Sequence, residues 1–207
     1  MSDHPAPDPS AAGGRPAVRG VLSALPRTLR HVLEALDEAA VGRWSRAVVD
    51  TLAQARGRLD ELNVFPVPDG DTGTNLLMTA EAGHAALEQA AGDAESPWTV
   101  LARGAVLGAR GNSGAILAQL LRGLADGLAG VARVDGRVLA EALTAASRTA
   151  YTAVADPEEG TFLTVARAGA EAAAAAVSDG RTLLADVVLA AADGARTALQ
   201  ALSLIHI

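Results

Sequence analysis

Apolar residues recur at three- and four-residue spacings along most of this chain, the period of a helix that buries one face. From about Leu22 to Leu62 the pattern is helical. Val32, Leu33 and Leu36 form one apolar cluster, and Trp44, Val48, Leu52 and Leu59 continue the stripe. Prolines at 66 and 68 end it, because they push Phe65 and Val67 into extended geometry. A second helix is expected from a cap at Thr74 or Asn75 to about Ala91, with Leu76, Ala80, Gly83 and Leu87 on its core face and Gly92-Asp93 closing it. Ser96 as N-cap and Pro97 at the first helical position open a third, which stops in the glycine cluster at 107–114. Ile116, Leu117, Leu120, Leu121, Leu124 and Leu128 mark a strongly apolar fourth helix. Asp135-Gly136 opens a fifth, to about Val154, and residues 155–162 break the pattern. Helices follow over 161–177 and 182–201, parted by Ser178-Asp179-Gly180. Alternation of period two is confined to 64–67, so the pattern predicts an all-α bundle whose sharp loops carry the polar chemistry.

Composition narrows the picture. Half the residues are apolar (50%) but only 2% are aromatic, so the core must be aliphatic and closely packed. The net charge of −7, with no basic run, argues against nucleic acid as a partner. Cysteine is absent, which removes disulfides, zinc–thiolate sites and cysteine nucleophiles. All 17 basic residues are arginine. Without lysine there is no Walker A loop, no protein-kinase strand lysine and no Schiff-base chemistry. Residues 1–21 are rich in Pro, Gly, Ala and Asp, lack the apolar segment of a signal peptide, and are expected to form a disordered tail. No apolar run reaches the roughly 18 residues of a membrane span, so a cytoplasmic location without a transmembrane segment is expected. The ending LSLIHI, 202–207, reads as a non-native tail derived from a sequencing adapter, so the domain at 22–201 is expected to be truncated.

Three loops carry candidate chemistry. In PDGDTGTN, 68–75, Asp69 and Asp71 flank a glycine that lets the chain turn, so both carboxylates can converge on one point. Magnesium is commonly held by one or two carboxylates plus substrate phosphates, and Gly73, Thr74 and Asn75 would offer backbone N–H groups at a helix start beside it. The plainer alternative is an Asx turn with a helix cap. An EF-hand fails, because the sixth and twelfth positions counted from Asp69 are Thr74 and Ala80. In GARGNSG, 108–114, Gly111 and Gly114 let a phosphate approach the backbone, Asn112 and Ser113 add donors, and Arg110 can neutralise charge on a transferred phosphoryl group. The alternative there is a helix–helix turn capped by Ser113. In EGTFLTV, 159–165, Thr161 could bring a further helix start to a ligand, or could simply cap a buried helix. Of the histidines, His4 and His206 lie in the terminal segments and His31 is unremarkable. His84, beside Glu81 and Glu88, is expected in an exposed ionic cluster.

LNVFPVPDGDTGTN, LGARGNSGAILAQLLRG and EGTFLTVAR, in that order and spacing, resemble the Dak-type ATP-binding kinase domain. The resemblance is strongest to the N-terminal domain of bacterial fatty-acid kinase, with the nucleotide-binding subunit of dihydroxyacetone (glycerone) kinase a more distant relative. It implies an antiparallel all-helical barrel with ATP bound at one end over two Mg²⁺ ions. Asp69 and Asp71 would be metal ligands, with Asn63 standing where the glycerone-kinase pattern has a third aspartate. Thr74, Asn75, Asn112, Ser113, Gly114 and the adjoining Gly111 would lie at the phosphates, with Thr161 nearby. The implied activity is transfer of the ATP γ-phosphoryl group to a fatty-acid carboxylate presented by a binding-protein partner, which would be engaged by a C-terminal domain beyond these residues. A non-catalytic, ADP-holding or sensing module is the alternative, and a homodimer stays open.

Overall fold

The computed structural model describes residues 36–62, 69–90, 95–154 and 162–205. Among these residues seven helices form: α1 Glu38–Leu62, α2 Thr72–Gln89, α3 Pro97–Gly108, α4 Gly111–Leu128, α5 Gly136–Ala153, α6 Phe162–Ser178 and α7 Leu184–Ile205. The described residues contain no strand, only one antiparallel bridge between Leu36 and Val134. The expected all-α fold is therefore observed. The terminal segment before Leu36, the proline loop at 63–68 with Asn63, the Gly92-Asp93 turn and the 155–161 break with Thr161 lie outside the described residues.

Local sequence explains several boundaries. Asp135 caps α5 by accepting the N–H groups of Arg137 and Val138 at 3.0 and 3.1 Å. Pro97 opens α3 as expected, with Ser96 at the N-cap position, although the Ser96 side chain makes no capping bond. Three expectations are corrected. Leu36 and Asp37 are not helical: Leu36 donates its N–H to the Val134 carbonyl, and Asp37 accepts from Ala40 N–H at 2.6 Å at the start of α1. Thr74 and Asn75 do not cap α2, which begins at Thr72 with Asp71 in the N-cap position. Ser113 does not cap α4, which begins at Gly111 after Arg110.

Successive helices pack on one another through short connections, so they run antiparallel. Three further pairs, α2 with α4, α5 with α7 and, over a smaller contact, α1 with α3, lie side by side in the same direction. The ends of α1, α3 and α5 and the starts of α2, α4 and α6 therefore share one end of the bundle. Alanine and glycine set the helix spacing. A Cβ on Gly123 would sit 2.5 Å from Ala146 Cα, and one on Gly104 would sit 2.8 Å from the Ala82 carbonyl oxygen. Such approaches let helices with few large side chains close their core. That core runs through Val41, Leu101, Leu121, Leu128, Leu139 and Val187. Leu128 is 1% exposed, and burial of that scale contributes about 2 kcal/mol for a leucine. Trp98 is buried while its ring partner Trp44, at 5.7 Å, stays partly exposed.

Gly123→Ala tests this packing. Helix propensity alone would favour alanine by about 1 kcal/mol, but the overlap with Ala146 is expected to outweigh it and leave a net loss of about 1–3 kcal/mol in urea unfolding. Unchanged or raised stability would contradict the close α4–α5 crossing.

Candidate functional site

The parallel pairing of α2 and α4 brings the two glycine-rich motifs together. Gly111, at φ +56°, lies against the Asn75 side chain so closely that a Cβ would overlap its amide nitrogen. A Cβ on Gly114 would overlap Thr79 Oγ1. Thr79 is fully buried; its hydroxyl donates to the Asn75 carbonyl at 2.7 Å and accepts from Arg110 N–H at 3.3 Å. Ser113 Oγ donates to Thr72 Oγ1 at 3.4 Å. The two helix starts thus touch through Asn75, Thr79, Gly111, Ser113 and Gly114, and the positive ends of two dipoles lie side by side. Neither helix carries an acidic residue in its first turn.

The aspartate loop leads into this junction. Gly70 is at φ +64°, the left-handed turn expected between the two carboxylates. Asp69 is exposed and Asp71 half-buried. Asp71 occupies the N-cap position of α2, yet its side chain makes no capping bond. The bond is supplied from α1. Asp60 accepts from Thr74 N–H at 3.0 Å through Oδ1 and from Thr74 Oγ1 at 2.9 Å through Oδ2. The Thr74 N–H chiefly, then its hydroxyl, the Gly73 N–H and the charge of Arg56, hold the Asp60 carboxyl below its ordinary 3.8, against an opposing effect of desolvation.

The site residues expected from sequence divide accordingly. Asn75, Gly111, Ser113 and Gly114 come together. Thr74 stands at the site, but its N–H and hydroxyl are engaged by Asp60. Asn112 is exposed in the first turn of α4. Arg110 is also exposed, and its Nη1 donates to the neighbouring Ala109 carbonyl at 3.0 Å, so its guanidinium folds along its own backbone. Asp60, Thr72 and Thr79 were not expected. Nothing in the local motifs points to Asp60, which acts across a separation of 14 residues. His84 corrects another expectation. Its side chain is only 12% exposed; it contacts Ser45 Oγ at 2.9 Å across the α1–α2 interface and Glu88 at 3.5 Å.

The donors suit a magnesium-bound anion. Two loop carboxylates offer oxygen ligands, and the Asp71 side chain makes no capping bond. Among the described residues no group of three or more His, Cys, Asp or Glu is placed to hold a metal alone. A cleft of about 310 Å³ at the opposite end is lined by Val41, Trp98, Leu128 and Val134. Its one charged lining residue among those described, Asp37, is engaged with Ala40 N–H and Arg43, so it offers little to a nucleotide.

The DAK2 domain family matches residues 66–203, and the chain belongs to that family. That family is related to dihydroxyacetone kinase. The chain is 44% identical over 116 residues to uncharacterized proteins of Staphylococcus aureus strains USA300, NCTC 8325 / PS 47 and COL. The match covers 56% of this chain and 21% of each relative, so it spans about a fifth of their length. No described helix is long and apolar enough to cross a membrane.

The Asp60 bonds carry a pH signature. A carboxyl held below its unfolded value stabilises the fold above that value, and the contribution is lost as pH falls through the folded one. The stability difference between wild type and Asp60→Asn should stay constant from about pH 7 to about pH 5 and shrink below about 3.8. Thermal unfolding across that range measures it. A difference that grows on acidification would contradict the bonding.

Proposed function

We propose that the chain binds Mg–ATP where α2 and α4 begin and transfers the γ-phosphoryl group to the carboxylate of a fatty acid presented by a binding-protein partner, in the cytoplasm. The observation that carries this reading is the contact of the aspartate-loop helix with the glycine turn through Asn75, Gly111 and Gly114. Asp69 and Asp71, with Asn63, would hold one or two magnesium ions, which supply charge neutralisation at the phosphates. The first-turn N–H groups of Gly111, Asn112 and Ser113 would take phosphate oxygens, since no side chain caps α4. Thr161 would approach from the start of α6. The acceptor oxygen attacks the γ-phosphorus, the bond to the β–γ bridging oxygen breaks, and ADP leaves. Positioning and charge neutralisation carry such a transfer without a nucleophile from the protein.

One observation favours a second reading, a nucleotide-holding module without transfer activity. Arg110, the candidate for charge neutralisation during transfer, is turned onto Ala109. ATP consumption that depends on both Mg²⁺ and an acyl-carrying partner supports transfer; tight binding without consumption supports the holding module.

Asp71→Ala should lower Mg–ATP affinity by about a hundredfold or more, beyond the effect expected for a residue that merely supports a ligand, while the helical circular-dichroism signal is retained. Calorimetry showing unchanged affinity in the folded variant would refute the assignment.

A further inference from the structure

Asp60 stands where helix electrostatics disfavours it. It lies in the last turn of α1, at the negative end of the dipole, and that turn contains no basic residue. Its carboxylate is nevertheless committed to the start of the next helix, accepting two bonds from Thr74 at 2.9 and 3.0 Å. With α2 beginning at Thr72, Thr74 is the third helical residue, whose N–H an N-cap side chain ordinarily satisfies. The residue in the N-cap position, Asp71, does not satisfy it. A Cβ on Gly73 would come within 2.8 Å of Leu59 Cβ, so α1 and α2 meet closely enough for the carboxylate to reach across.

We infer that Asp60 is a positioning residue that caps α2 in trans and so keeps the Asp71 carboxylate out of the cap and available to the metal. An aspartate in the N-cap position normally turns its carboxylate back onto the second or third N–H of its own helix. Asp60 already holds that donor, so Asp71 has no capping role and can face the phosphate end of the bundle. Asp60 touches neither metal nor nucleotide in this arrangement; it acts through Thr74. The inference rests on the Mg–ATP reading and adds to it a residue outside all three loop motifs.

Calorimetric titration of Mg–ATP into wild type, Asp60→Ala and Asp60→Asn tests it, with circular dichroism as the folding control. In Asp60→Ala the Asp71 carboxylate falls back onto Thr74 N–H, and affinity should drop about tenfold, the scale of a lost cap. Asparagine can accept from Thr74 N–H and donate to its hydroxyl, so Asp60→Asn should stay within about threefold of wild type. Equal affinity in Asp60→Ala and a binding wild type overturns the positioning role alone. An Asp60→Asn loss as large as that of alanine also overturns it, because the charge rather than the cap would then matter. If Asp60→Ala does not fold, the asparagine variant decides. A wild type that binds no Mg–ATP overturns the functional reading and this inference with it.

Discussion

α2 and α4 begin side by side because the positions of α4 that face α2, Gly111 and Gly114, carry no side chain, and the candidate site depends on that constraint. Gly111 and Gly114 leave the space that the Asn75 amide and the Thr79 hydroxyl fill. Larger residues there would drive α4 away from α2 and separate the glycine turn from the aspartate loop. The same economy runs through the bundle, where glycine and alanine at the crossings hold nearly aliphatic helices at close range.

Bringing two helix starts together concentrates positive partial charge at their junction. The two starts handle it differently. That of α2 is satisfied by Asp60 reaching across from α1, whereas that of α4 has no capping side chain. The N–H groups of Asn112 and Ser113 thus meet no capping side chain. The cleft at the other end lies at the start of α3, beside Ser96, Pro97 and Trp98, and its one charged lining residue among those described, Asp37, is an acid already engaged by Ala40 N–H and Arg43.

Much of the fold was legible because its signals are local. Pro97 marks a helix start through its fixed backbone and Asp135 through its side-chain cap, and the apolar stripe of α4 follows from its period. The helix starts at the site were misread for a related reason. Thr74, Asn75 and Ser113 are good capping residues, but here one helix is capped from another element and the other by no side chain at all. Asp60 could not be found by motif, since its partner lies 14 residues away and its own helix end argues against an acid. His84 looked like a surface ion because its charged neighbours are sequential; the packing of α1 over it, with Ser45 as partner, is visible only in three dimensions. Within the glycine motifs the chemistry of each was readable, while their contact required the parallel pairing of α2 with α4.

Amide chemical-shift mapping during a titration with Mg–ATP tests the central claim most directly. The largest changes should fall on Gly111, Asn112 and Ser113, with Gly73 and Asn75 following. Largest changes around Val41, Trp98 and Val134 at the opposite end, or no saturable change at the start of α4, would contradict it.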